Sequence, residues 1–524
     1  MQRSPRPDRS RAASRSLSPI LGILLMTFSV TGATAVSAAS PSSLIYSLTD
    51  LGSLEGGRSY ALAINAGGQV AGVAITPSGY QRAFLYDGTT LRDLGTLGGS
   101  HSYATAINPG GQVVGWAQTP SGETHAFLHD GASMRDLGTL GGHWSTAVAI
   151  NAGGQVAGYA FPPTGGHHAF LYDGNAMHDL GTLEGDASVA YAINAGGQVV
   201  GWADTSGGGH HAFLYDGTTM YDLGTLGGSR SVAYAINAGG QVVGWADTSG
   251  GGHHAFLYDG TILRDLGTLG GSGSIAYAIN DAGQVVGHAF PPSGGAHGFF
   301  HDGTAMRDLG TLGGNNSDAM AINAGGHVVG RADTVGGGQR AFLFDGTAVH
   351  DLNSLLDESG DGWTVTEARA INDAGQIAAT ASTPDGTPRA VLLTPRVIVS
   401  IDIRPMRPSS PINPRRHGRI PVAILSSPTF DAPAQIDENS LTFGSTGNEP
   451  SLAFCRPNPR DVNGDGSPDL LCHFYAQAAA FEHGDTQGIL KGRTISGISL
   501  IGSDAVRIVP GPRHPPRFLR HERP

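Results

Sequence analysis

Lysine is missing from residues 39–395 of this 524-residue chain, and the 11 arginines there face 30 acidic residues, a net charge of about −19. A surface so acidic repels phosphate backbones, which argues against nucleic acid as a partner. Cysteine is scarce too: Cys455 and Cys472 are the only two. No arrangement of His and Asn near either suggests activation of a catalytic thiolate. Long apolar runs are missing after the first 38 residues. Within those 38, a basic start (Arg3, Arg6, Arg9, Arg11, Arg15), an apolar stretch over 20–30 and the small residues Val36-Ser37-Ala38 form the three-part secretory pattern. The expectation is a signal peptide over 1–38, with a retained anchor as the alternative. The mature protein is then expected to be soluble, secreted, and extracellular or periplasmic.

What is abundant is glycine, 81 residues of it, and it is spent on a repeat. The aspartate of a DLG triplet recurs at Asp50, Asp93, Asp136, Asp179, Asp222, Asp265 and Asp308, and of a DLN triplet at Asp351, each 43 residues after the last. In the unit over 93–135, four short runs rich in β-branched and aromatic residues (103–108, 112–117, 125–129 and 134–137) are separated by turns such as Asn108-Pro109-Gly110-Gly111 and Asp130-Gly131. That is the signature of strands joined by tight hairpins. Each unit therefore reads as a four-stranded antiparallel meander with little charge on either face. Such a sheet is stable only between copies of itself. The ends of the array are complementary. Residues 44–49 stand where a fourth strand belongs but have no first three, and the last unit (370–372, 376–381, 390–393) has three strands and no fourth. An all-β fold is expected, an eight-bladed β-propeller over 44–395 closed by pairing the N-terminal strand with the last three. An open solenoid is the alternative.

The motifs DLGTLGG, AIN, GQVVG and AFL stand in register in many copies, with His-Ala-Phe at His125-Ala126-Phe127, His168-Ala169-Phe170, His211-Ala212-Phe213 and His254-Ala255-Phe256. On these residues the chain resembles the bacterial extracellular HAF-repeat family over about 44–395. The resemblance implies an exported repeat protein and no defined chemistry. Residues 188–218 and 231–261 are identical, so a residue found in every unit is first a structural residue.

After Pro395 the rhythm stops. Runs such as VIVSIDIRP, IPVAILSS and DLLCHF alternate with Pro-, Asn- and Asp-rich turns, and an antiparallel β-sandwich is expected over 396–510, followed by a disordered tail over 511–524. The run is similar to a C-terminal accessory domain of bacterial secreted proteins. Within it, Asp461, Asn463, Asp465, Ser467 (through its carbonyl) and Asp469 follow the ligand order of a calcium loop, with Cys472 where the bidentate Glu normally stands. A structural calcium is expected there, against a bare turn. The flanking Cys455 and Cys472 are expected to form a disulfide, with two free thiols as the alternative.

Three features of the repeat are candidates for function. His167, His168, His210, His211, His253, His254 and His297 could form a ring on one face, though without the compact spacing of a zinc site; the plain alternative is that the last His before Ala-Phe begins a strand and caps a turn. The residue after Val-Gly (Ala-Gly in some units) in the second strand varies while its frame does not: Val73, Trp116, Tyr159, Trp202, Trp245, His288, Arg331. From Trp116 onward these are candidate ligand contacts, with packing between blades as the plain alternative. Asp357, Ser359 and Asp361, in an insertion in the last unit, read as an exposed turn or a cation loop. No catalytic residues stand out. The expected function is a non-catalytic secreted binding or scaffold protein, monomeric, whose propeller recognises a carbohydrate or an extracellular protein. The alternative is a polysaccharide-active hydrolase or lyase working in the channel, whose sign would be a pocket with two non-repeated carboxylates.

Overall fold

The computed structural model describes residues 43–405, 411–415, 417–428 and 430–509. The expected signal peptide and tail lie outside the described residues. Seven consecutive four-stranded antiparallel sheets follow the sequence rhythm, from the sheet spanning 58–93 to that spanning 313–351. In the unit read above the strands are Ser102–Ile107, Val113–Gln118, Thr124–His129 and Met134–Gly138. A further sheet carries Thr364–Ile371, Ile377–Ser382 and Pro388–Ile398, and Ser43–Asp50 pairs antiparallel along the last of these, from Ser43 opposite Ile398 to Asp50 opposite Val391. The first strands of successive sheets lie against one another and the fourth strands lie outermost, so the repeat builds a propeller around a central channel.

Two hydrogen-bond relays explain why the motifs recur. The asparagine of each AIN is buried and its Nδ2 donates to the carbonyl of the next one: Asn65 to Asn108 at 3.1 Å, onward through Asn151, Asn194, Asn237, Asn280 and Asn323 to Asn372, and from Asn372 back to Asn65 at 3.1 Å. The relay returns to its start after eight steps, so the ring is closed. The second relay uses a serine of the first strand in each of the first seven blades. Ser102 Oγ donates to the Gly95 carbonyl and accepts from Ala83 N–H of the preceding blade at 2.9 Å, and Ser59 does the same for Ala390, 331 residues away.

The glycine of GQVVG answers a local crowding. A Cβ on Gly201 would sit 1.8 Å from the Val189 carbonyl, because the first strand bulges at Tyr191, between Ala190 and Ala192. The same bulge recurs in every blade and turns one extra residue per first strand toward the channel.

The insertion in the last unit is a latch. It forms two 3-10 turns, Leu352–Leu355 and Glu358–Gly360, that cover the outer edge of Ser43–Asp50. Asp357 N–H donates to the Tyr46 carbonyl at 2.9 Å and Leu48 N–H to Ser359 Oγ at 2.7 Å. An edge strand left bare would template pairing with another chain. Asp357 and Ser359 thus hold the closing strand, which sequence spacing alone did not reveal.

The boundary read at 395/396 falls inside the strand Pro388–Ile398. Its end pairs in parallel with Ser499–Ala505, so the last blade and the C-terminal module share one sheet. The module packs that extension against a second sheet of Ile401–Ile403, Arg419–Ile424, Leu470–Tyr475 and Leu452–Cys455, around a core that includes Ile403, Ile420, Phe443, Phe474 and Leu490. Cys455 and Cys472 are register partners on neighbouring strands and are joined by a disulfide. Among the described residues no helix is long and apolar enough to cross a membrane.

Candidate ligand site in the channel

The histidines of the HAF motif do not form a ring of ligands. Each turns to the DLG aspartate eleven residues on, one strand outward: His125 to Asp136, His168 to Asp179, His211 to Asp222 and His254 to Asp265 at 2.8–2.9 Å, and His297 to Asp308 at 3.0 Å. The same aspartates accept the N–H of the glycine two residues on, as Asp136 does from Gly138 at 2.7 Å. One pair of side chains thus accounts for both signature motifs, and its role is to pin third strand to fourth. The histidines one residue earlier sit between aromatic rings of successive blades. His167 lies 5.8 Å from Trp202, His210 lies 5.2 Å from Trp202 and 6.1 Å from Trp245, and His253 lies 5.6 Å from Trp245. Burial pushes the pKa of all three below the usual imidazole value.

The variable second-strand column is half-buried and packs largely on neighbours. Trp116 stacks on Tyr103 at 5.9 Å and Tyr159 meets Trp144 at 5.0 Å. The indoles of Trp202 and Trp245 donate to the hydroxyls of Tyr191 and Tyr234 at 3.4 and 3.3 Å, and His288 Nδ1 lies 2.9 Å from the Tyr277 hydroxyl. In these three blades the column braces the bulged residue of the first strand. That bulged column reads Leu62, Thr105, Val148, Tyr191, Tyr234, Tyr277, Met320, Arg369. Tyr191, Tyr234 and Tyr277 form an aromatic arc with centroids 5.4 and 6.1 Å apart.

Where the arc ends, charge begins. Leu62, Tyr277, Asp318, Met320, Arg331 and Arg369 line a cavity of about 340 Å³. Arg331 Nε donates to Asp318 at 3.0 Å and its Nη1 to Glu367 at 3.2 Å, while Arg369 Nε donates to the other Glu367 oxygen at 2.9 Å. Asp318 also meets His288 Nδ1 at 3.1 Å. That hydrogen bond and Arg331 hold the Asp318 carboxyl below the usual carboxylate range against the opposing effect of burial, so it is ionised at neutral pH. Burial pushes the Tyr277 phenol up to about 12, so it stays protonated. Two non-repeated carboxylates, Asp318 and Glu367, therefore meet at this site, each clamped by guanidinium. Of this cluster the second-strand column held His288 and Arg331. Asp318, Glu367, Arg369 and Tyr277 were missed; reading the first strand for departures from its neighbours would have found the three charged residues, whereas Tyr277 repeats Tyr191 and Tyr234.

A larger cavity, about 750 Å³, opens between the outer strands of the last two blades and the C-terminal module, with walls that include Leu44, Leu343, Val397, Phe430 and Ile495. Its Asp345–His350 pair at 2.9 Å repeats the Asp173–His178 pair of the third blade at 2.8 Å.

In the calcium-type loop, Asp461 accepts N–H groups from Gly464 at 2.6 Å and Gly466 at 2.9 Å, and Asp465 accepts from Ser467 N–H at 2.8 Å and from Asn463 Nδ2 at 2.8 Å. Asp469 is fully buried, and its two oxygens accept from Ser426 and Val462 N–H, both at 2.8 Å. Asp461, Asn463 and Asp465 stand exposed on the loop and could still face a cation, whereas Asp469 is an anchor for the loop's base. Among the described residues no group of three or more His, Cys, Asp or Glu side chains is gathered for a metal ion.

A family model described as a protein of unknown function (DUF3466) matches residues 264–390, the stretch that holds the charged cluster. No curated protein matches the chain. Among solved structures, the chain is similar to the β-propeller domain of the Trilobed protease from Pyrococcus furiosus (11% identity, 56% of this chain and 95% of that one, TM-score 0.39). It is also similar to TolB from Acinetobacter baumannii (12%, 60% and 76%, TM-score 0.31) and to the SapL1 lectin in complex with alpha methyl fucoside (13%, 55% and 89%, TM-score 0.22).

Proposed function

We propose that this is a secreted, extracellular or periplasmic binding protein of the HAF-repeat kind, monomeric, whose channel takes a carbohydrate. The observation that carries this reading is the arc Tyr191, Tyr234, Tyr277 running into the cavity bounded by Arg331 and Arg369. Aromatic faces stack on the C–H faces of sugars, and a concave site with a few fixed polar groups orients them. The test is binding of an oligosaccharide panel to the mature protein, followed by intrinsic fluorescence. Tyr234→Ala should weaken binding at least tenfold, and a panel with no binder would sink the reading.

The second reading, a polysaccharide hydrolase or lyase, is favoured by one observation, the meeting of Asp318 and Glu367 in the channel wall. Against it stands the pairing of each with arginine and the low pKa of Asp318, since an acid catalyst needs a carboxyl that keeps its proton. Release of reducing sugar that stops in Asp318→Asn would establish it. In the C-terminal module we propose a structural calcium on Asp461, Asn463 and Asp465 with the Ser467 carbonyl, holding the loop and taking no part in ligand binding.

A further inference from the structure

Three positions per blade face the channel end: the bulged residue, the first-strand residue two before it, and that residue's partner on the second strand. In the first six blades none of these is an Asp, Glu, Lys or Arg, as in Val189, Tyr191 and Trp202 of the fourth. In the seventh they are Asp318, Met320 and Arg331, and in the eighth Glu367, Arg369 and Thr380. All the formal charge at these three positions thus lies on the seventh and eighth blades. The two carboxylates and two guanidiniums balance, yet their hydrogen bonds do not. Each carboxylate oxygen has a donor, whereas Arg331 Nη2 and both terminal nitrogens of Arg369 have no protein acceptor among the described residues. Arg369 is 43% and Arg331 35% exposed, and both line the cavity.

Spare guanidinium donors in a fixed planar array fit a carboxylate, which accepts two parallel N–H bonds. The carboxylates behind them fix the guanidinium planes before a ligand arrives, which reduces the ordering cost of binding. Resting on the carbohydrate reading above, we propose that the channel recognises a saccharide bearing a single carboxylate, a uronic acid unit, with the acid on Arg331 and Arg369 and the adjoining sugars along Tyr277, Tyr234 and Tyr191. The rest of the propeller sets the limit to one charge. With 30 acidic residues against 11 arginines over 39–395, a polyanion is repelled along most of its length. Only an isolated acid that reaches the arginines escapes that penalty.

The test uses the mature full chain and three probes in calorimetry: a glucuronosyl-substituted xylo-oligosaccharide, the same xylo-oligosaccharide without the acid, and oligogalacturonate as the polyanion. The acid-bearing probe should bind at least tenfold more tightly than the other two. Arg369→Gln should erase that preference, so that the acidic and neutral probes bind alike, and Arg369→Lys should restore part of it. Melting curves check that the variants are folded. If the neutral probe binds as well as the acidic one, or Arg369→Gln binds both unchanged, acid recognition is wrong while the carbohydrate reading stands. If the polyanion binds tightest, the limit to one charge is wrong. If no saccharide binds, both readings fall together.

Discussion

At the scale of single residues, the repeat defines what each position does by default, and function shows as departure from that default. Asn194 is a default residue: buried, it donates to Gln198 Oε1 at 2.7 Å and to the Asn237 carbonyl at 3.3 Å, and accepts from Gln198 N–H at 3.0 Å. Asn194→Ala leaves these partners unpaired inside the ring and should cost about 1–3 kcal/mol in denaturant unfolding. Asp318 is a departure, and its electrostatics give a pH signature. Its folded pKa lies below the ordinary value of 3.8, so its contribution to stability is complete above that pH and is lost as pH falls through the depressed folded value. Asp318→Asn should therefore lower the melting temperature at pH 7, and the gap to the parent protein should close as pH falls below about 3.8. Equal gaps at both ends would mean the loss is one of packing. This column was legible in the sequence only in part. Arg331 stands in the 43-residue rhythm, whereas Glu367 and Arg369 follow an insertion that moves them out of step.

Among elements, the strand Ser43–Asp50 carries the closure. It supplies the outermost strand of the last blade along eight register pairs, and its free edge is capped by the latch. Deleting residues 43–50 should expose the edge of Pro388–Ile398, lower stability and produce aggregates in light scattering. Ser359→Ala removes the acceptor for Leu48 N–H and the hydroxyl that donates to Asp357, and should cost about 1 kcal/mol without aggregation. The hairpin carrying Cys455–Cys472 makes a separate prediction. The bond closes a loop across a sequence separation of 17, for which chain entropy gives about 3 kcal/mol. Cys455→Ser should lower stability by that order, and reduction of the parent protein should match it.

For the whole molecule, the shared sheet makes the C-terminal module an extension of the last blade. The two should unfold together, and a truncation at 395 should destabilise the propeller, which calorimetry would show as a shift in its transition. Calcium must accordingly be tested on the full chain. Millimolar calcium should raise the transition that includes the module, by mass action on the folded form, and Asp465→Ala should abolish the rise. Asp469→Ala should instead lower stability with or without calcium, because its buried carboxylate holds Ser426 and Val462 N–H.

The sequence by itself determined the period, the four strands per unit, the class of fold and the complementary ends, because a strand's apolar pattern and its Gly-Asn-Asp turns are local properties. Only the tertiary structure decided which residues face the channel. The first strand bulges at Leu62, Tyr277 and Arg369, and one extra residue reverses the side to which everything before it points. The partner of each HAF histidine, eleven residues away across a strand pair, was equally hidden. So was the placing of Leu62 and Arg369, 307 positions apart in the chain, on one cavity, because they come together only once the ring has closed.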